Sequence, residues 1–407
     1  MYEFKEELER VWEQRFEHEW GCLRDEVLRS LDSYLNCGII AHGAARARCP
    51  ECNNSILVAF SCKKRGVCPS CGAKRAVIFA EHIAEEVLKK VPHRHVTWTI
   101  PKIIRPYFKF KRMNSWILYR AAWETVKEMY RAVIPEGTAG GIMVLQTAGE
   151  SLRFNPHLHS LITDGAMLPD DTFHRLPYFS NEKFSEVFSV KVLALMHRVG
   201  LIDYDRIELI QTWEHSGFSV WGGPPIESDE AVKFIARYMD RGPVSLQKLS
   251  IEDSLVAYLV DDGRAGQKLD PLEFLARLQA HIPDKWESTV RYFGIYSHRY
   301  RGEERKIAAA AAAEGAKETG IQTVTEPPGK ASRTWAACMK RIFEVDPLVC
   351  PKCNSQMKII AFITDPKELA AISKSLGVEP FEKPQKVRAP PAAETVYEPF
   401  TDDTLPE

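Results

Sequence analysis

Two short cysteine pairs constrain the folding of this 407-residue chain more than any other feature. Cys49-Pro50-Glu51-Cys52 and Cys68-Pro69-Ser70-Cys71 are separated by fifteen residues. A Cys-x-x-Cys knuckle directs two thiolates at one tetrahedral ion, and two knuckles at this spacing are a zinc-ribbon signature. The spacing places one Zn2+ on Cys49, Cys52, Cys68 and Cys71, with the residues between them forming the hairpin that joins the knuckles. Gly72 and the prolines after Cys49 and Cys68 suit tight turns. A redox pair or buried inert thiols are the alternatives. Cys37 and Cys62 fit either a second site completed by a histidine such as His42 or structural thiols near the first ion. Cys350-Pro351-Lys352-Cys353 is half of a zinc site, with Cys338 a candidate third ligand. A closed thiolate site has no open position for chemistry, so its role is scaffolding or nucleic-acid contact.

Seven of the ten cysteines lie between Cys22 and Cys71 and three between Cys338 and Cys353. That clustering argues for metal in a reducing compartment and against a secreted disulfide framework. The N-terminus is charged and lacks the apolar core of a signal peptide, and no apolar run approaches the ~20 residues that span a bilayer. The expectation is a cytoplasmic protein, nucleoid-associated when bound to DNA. Its length allows two to four domains.

A net charge of −1 neither favours nor excludes nucleic acid, but the distribution is informative. Lys102, Arg105, Lys109, Lys111 and Arg112 interleave with Tyr107, Phe108 and Phe110. Arg291, Arg299, Arg301, Arg305 and Lys306 interleave with Tyr292, Phe293, Tyr296 and Tyr300. Such mixtures suit either a surface that tracks a single strand and stacks its bases, or solvated helix faces over a few core aromatics.

The pattern predicts helix over residues 1–35, a cysteine module to about 75, and a helix from Ala76 to Val91. A strand follows at His93–Ile100, then a helix over 113–134 and a short apolar strand at Gly140–Gln146. Phe154-Asn155-Pro156-His157-Leu158-His159-Ser160-Leu161 reads as a strand, on which residues two apart share a face. His157 and His159 therefore project together, with Leu158 opposite. Paired imidazoles can hold a divalent ion and leave positions open for a substrate oxygen; the bland alternative is two surface histidines. Residues 231–241 have the spacing of an amphipathic helix carrying Phe234 and Tyr238 on one face. The alanine run at Ala308–Ala313 and its sequel read as a linker.

The domains expected are thus an N-terminal helical and zinc-binding module (1–75), a central domain (76–306), a linker (307–332), a small C-terminal Cys-x-x-Cys module (333–378) and a disordered tail (379–407).

In this order the segments YLNCGIIAHGAARARCPECN, VPHRHVTWTIPK, FNPHLHSLITDG, FIARYMDR, RYFGIYSHRYRG and VCPKC resemble the rolling-circle insertion-sequence transposases of the HUH (His-hydrophobe-His) endonuclease superfamily. The likeness covers nearly the whole chain. It implies an α+β fold: a central antiparallel sheet with flanking helices, bearing the histidine pair with the tyrosine helix against one face. It implies a single-stranded DNA nickase and strand transferase acting on the ends of a mobile element and on its target. His157 and His159 correspond to ligands of a catalytic Mg2+ or Mn2+, and Tyr238 to the nucleophile. Gln146 is a candidate third ligand. Relatives with two tyrosines carry them four residues apart, but here the first position is Phe234, which marks a single-tyrosine member. Arg237 and Arg241 flank the tyrosine as candidate phosphate clamps. Lys102, Arg105, Lys109, Arg291 and Arg299 are the further DNA-binding candidates. Two other classes stay open: a non-catalytic zinc DNA-binding protein, such as a decayed transposase, and a phosphodiesterase that activates water.

Overall fold

The computed structural model describes residues 4–213, 216–259, 265–319 and 348–378. Cys338, the latter part of the expected linker and the expected tail lie outside them. The chain opens with helices α1 (Lys5–Arg15), α2 (Glu17–Trp20) and α3 (Asp25–Leu35), the hairpin β1 (Ala44–Arg48) and β2 (Ser55–Ala59), and helix α4 (Pro69–His82). Strand β3 (His93–Thr99), short α5 (Pro106–Lys109) and α6 (Trp116–Arg131) lead to β4 (Gly140–Ala148) and β5 (Phe154–Thr163). Next come β6 (Gly165–Met167), β7 (Phe173–Arg175), α7 (Asn181–Arg198), α8 (Tyr204–Gln211), β8 (Ser219–Ile226) and α9 (Asp229–Met239). The remainder is β9 (Leu249–Glu252), β10 (Leu255–Leu259), β11 (Ala265–Leu269), α10 (Pro271–Gln279), β12 (Val290–Gly294), α11 (His298–Thr319), β13 (Lys358–Ile363) and α12 (Pro366–Leu376).

The fold is α+β, organised on a five-stranded antiparallel sheet of order β12-β4-β5-β3-β8. Side-chain alternation builds a core on each face. Trp98, Met143, Leu145, Leu158 and Ile162 point to one side and pack with α6 and α7 residues such as Ile117, Tyr119, Phe184 and Phe188. Ile142, Val144 and Leu161 point to the other, against Phe79 and Ala80 of α4 and Val232, Ile235, Ala236 and Met239 of α9. The buried α9 residues fall at i, i+3, i+4 and i+7, the stripe that lays a helix flat on a sheet. A third core joins α1 and α3 to α10.

Three expectations need correction. First, the C-terminal Cys-x-x-Cys segment is not a separate module. Strand β13 pairs antiparallel with β1, giving a sheet of order β13-β1-β2, so residues 348–378 complete the N-terminal module. Second, the first part of the expected linker is helical, because α11 runs to Thr319. Alanine has the highest intrinsic helix propensity, so such a run needs no amphipathic pattern to form helix. Third, α4 begins at Pro69, seven residues before the expected start, with Cys68 as its N-cap. Proline at the first helical position suits an N–H that would have no partner there in any case. The second knuckle is therefore a helix start rather than a hairpin end.

Candidate active site

Among the described residues the thiols form two groups of four: Cys37, Cys62, Cys68 and Cys71, and Cys49, Cys52, Cys350 and Cys353. The ribbon expected from Cys49, Cys52, Cys68 and Cys71 is therefore split between two sites. Cys37 and Cys62 are ligand-position residues of the first, with no histidine in the set. In that group the Sγ atoms of Cys37 and Cys71 are 3.8 Å apart, those of Cys62 and Cys71 3.6 Å, and those of Cys37 and Cys68 3.8 Å. Four sulfurs at ~2.3 Å from a tetrahedral zinc lie about 3.8 Å from one another, so the donors fit that ion. The physical reason for the regrouping is α4: its first turn carries Cys68 and Cys71 toward Cys37 at the end of α3.

The histidine pair sits on the α9 face of the sheet. His159 is buried and His157 half-buried, and their Nε2 atoms are 3.1 Å apart. His157 Nδ1 lies 2.7 Å from the carbonyl oxygen of Asn155. A carbonyl only accepts, so that nitrogen carries the proton and Nε2 keeps its lone pair. Two imidazole nitrogens bound at right angles to one ion at ~2.1 Å sit about 3 Å apart, which this spacing matches. Burial holds His159 well below the ordinary imidazole range, helped by His157, His95 and Arg241, so its ring stays neutral and able to ligate.

His95 is the residue that sequence reasoning missed. On β3, its Nε2 is 3.1 Å from His159 Nδ1, and the Thr97 hydroxyl is 3.3 Å from the same atom. Burial pushes the His95 imidazole down to about 4. The signal was present: His93, His95 and Thr97 alternate on a strand that pairs beside β5, with Thr97 opposite His159.

Tyr238 flanks the buried stripe of α9. Its ring meets His159 edge-on with centroids 5.1 Å apart, and His95 at 6.2 Å. The Arg241 guanidinium lies 5.0 Å from the ring centroid. Ser228 caps α9 by accepting a hydrogen bond from the Ala231 N–H at 3.1 Å, fixing where the helix begins. Gln146 fixes where it ends. Opposite His157 on β4, it donates from its amide nitrogen to the carbonyls of Tyr238 at 3.0 Å and Met239 at 2.9 Å. Phe234, one turn before Tyr238, is exposed. Beside Gln146 opens a cleft lined by Arg65, Arg75, Asp240, Arg241 and His281. Arg75 donates to Asp240 at 2.8 Å.

The basic candidates divide. Arg237, Arg241 and Lys102 are exposed. Lys109 is half-buried with its ammonium 3.7 Å from the Trp20 ring centroid, and burial lowers its pKa. Arg105 donates to the Ile100 carbonyl at 3.3 Å, and Arg291 lies 4.6 Å from the Tyr119 ring centroid. Arg299 pairs with Glu303 at 3.1 Å. Arg112 is buried on Glu287 and the Ala280 carbonyl, and Phe108 is core. The segment from 102 to 112 is thus largely scaffold rather than one continuous binding face.

No helix among the described residues is long and apolar enough to cross a membrane. Two family models match: "Transposase zinc-binding domain" over residues 7–100 and "Putative transposase" over residues 140–304. The chain is 24% identical over 371 residues to the transposase for insertion sequence element IS801 of Pseudomonas savastanoi pv. phaseolicola, covering 85% of this chain and 86% of that protein. It is 26% identical over 306 residues to putative transposase y4qJ of Sinorhizobium fredii, covering 67% of this chain and 74% of that one. No solved structure matches the chain significantly. Both matched domains occur in this order, with transposases aligned along most of the length, so the chain has the domain organisation of an insertion-sequence transposase.

Proposed function

We propose that the protein nicks and rejoins single-stranded DNA through a 5′-phosphotyrosine on Tyr238, as rolling-circle transposition requires. The observation that carries this reading is the Tyr238 ring packed against His159, beside two facing imidazole nitrogens. His157 and His159 would hold Mg2+ or Mn2+, which when bound supplies charge neutralisation at a scissile phosphate. Gln146, its amide nitrogen committed to the end of α9, offers such an ion only its oxygen.

The chain's own residues do the remaining work. The Tyr238 hydroxyl attacks phosphorus and loses its proton to solvent. The bond from phosphorus to the 3′ oxygen breaks, and that oxygen takes up a proton and leaves as a hydroxyl. The new phosphotyrosine retains the energy of the phosphodiester, so attack by another 3′-hydroxyl reverses the step at a new junction without ATP. Arg237 and Arg241 contact the phosphates on either side. His95 is a positioning residue that holds the His159 ring from behind. With Phe234 in place of a second tyrosine, each chain carries one link at a time. DNA is the partner, and single-stranded ends of an element are the substrate class.

Tyr238→Phe tests this directly. Wild-type protein incubated with a labelled single strand of an element end and Mn2+ is expected to leave DNA covalently attached on a denaturing gel, and the variant none. Adducts that persist in the variant overturn the assignment. Free 5′-phosphate ends with no attached protein would point to a water-using phosphodiesterase. DNA binding without cleavage by wild type would point to a non-catalytic zinc protein.

A further inference from the structure

The second thiol group joins parts of the chain 300 residues apart. Cys49 Sγ lies 3.5 Å from Cys353 Sγ, and Cys52 Sγ lies 3.5 Å from Cys350 and 3.4 Å from Cys353. The two loops that supply them are built alike. In the first, the Cys49 N–H donates to the Asn54 carbonyl at 2.8 Å and the Asn53 N–H to the Cys49 carbonyl at 3.0 Å. In the second, the Cys350 N–H donates to Ser355 at 2.9 Å and the Asn354 N–H to Cys350 at 2.9 Å. Asn53 and Asn354 both take the left-handed conformation, with φ of 58° and 56°. Asparagine tolerates that region better than most residues, and here it turns each chain immediately after its second cysteine. Asn54 adds a side-chain amide 3.8 Å from Cys350 Sγ.

We propose that Cys49, Cys52, Cys350 and Cys353 form a second structural zinc site, a clasp that fastens the C-terminal strand to the N-terminal module. The donor set is four thiolates, each having lost its proton, at separations close to those of a tetrahedral zinc edge. The need for a metal is visible in the packing. Among the described residues, the core around these thiols comprises little beyond Ala47, Met357, Ile56 and Leu348. A segment of that size does not hold a fixed position by apolar burial alone and requires a staple. The neighbouring core of Ile40, Ala44, Ile363 and Leu369 is equally small. The clasp stands independently of the nicking chemistry, since the histidine pair lies on a different sheet. Cys49 and Cys350 are buried, but Cys52 and Cys353 are exposed and open a path to a chelator. In the first site, by contrast, Cys68 is buried, its three partners are half-buried and none is exposed. The clasp is therefore the site that yields its ion first.

Elemental analysis and thiol footprinting of the full-length protein test this. Wild type is expected to carry two zinc equivalents, and Cys350→Ser with Cys353→Ser to carry one. Stepwise chelation of wild type, with alkylation and peptide mass spectrometry at each step, should expose Cys49, Cys52, Cys350 and Cys353 together. Cys37, Cys62, Cys68 and Cys71 should follow later as a second group. This arm needs no variant and so survives misfolding of the double substitution. One equivalent in wild type overturns the clasp, as does retention of both ions by the double variant. So does joint exposure of Cys49 and Cys52 with Cys68 and Cys71.

Discussion

Cys37, Cys62, Cys68 and Cys71 surround a point with four donors, whereas His157 and His159 bring two and stop. The difference teaches where rigidity ends and chemistry can begin. Four thiols leave no room for a substrate oxygen, so an ion there can only hold the backbone in place. Two imidazoles, braced by Asn155 on one side and His95 with Thr97 on the other, leave positions open toward Tyr238. One cluster should therefore report in stability and the other in turnover.

The largest expected effect comes from dismantling the closed cluster. Cys68→Ser with Cys71→Ser should unfold the N-terminal module, since structural zinc contributes on the order of 10 kcal/mol to small metal-dependent folds. Retention of the wild-type circular dichroism spectrum and melting profile would break the comparison. Next in size is acid. Burial pushes His93, His95 and His281 each down to about 4 from an ordinary value of 6.5. The unfolded chain takes up these protons below pH 6.5, but the folded protein does so only near pH 4. Stability is therefore full above pH 6.5 and lost as pH falls through that window, on the order of 3 kcal/mol per histidine. Urea midpoints at pH 7, 6 and 5 measure it, and a flat profile would contradict the buried neutral state.

Opening the histidine site further is expected to be smaller in energy and confined to activity. His157→Ala should slow adduct formation by about 100-fold, with an unchanged urea midpoint. A shift in midpoint with normal adduct yield would reverse the roles assigned to the two clusters. The smallest effect is at Gln146. Its alanine variant loses two hydrogen bonds to the end of α9 and should cost about 1 kcal/mol. A loss of manganese affinity by titration, beyond that cost, would separate a ligand role from helix positioning.

What the sequence revealed tracks how local each determinant is. Strands β3 and β5 and helix α9 follow from periodicity within ten or so residues, and so does the shared face of His157 and His159. The pairing of cysteines does not, because every knuckle has the same sequence, Cys-Pro-x-Cys, and only tertiary packing decides which two meet. Knuckle spacing favoured Cys49 with Cys68, but the chain brings Cys49 to Cys353 instead. The basic and aromatic segments were ambiguous for the same reason. Arg112 finds Glu287 and Lys109 finds Trp20, partners that no window around either residue contains. His95 escaped notice because a histidine on β3, even with His93 two residues away, acquires its meaning only once β3 is known to pair with β5.

The pairing of β13 with β1 also sets an order of events during synthesis. A ribosome releases Cys49 and Cys52 early, together with the thiols at 37, 62, 68 and 71, and that nearby quartet can close while translation continues. The hairpin edge at β1 must wait, unpaired, for some three hundred further residues to be made. A message cut short anywhere before Cys350 thus yields a product whose earliest-made sheet is left unfinished.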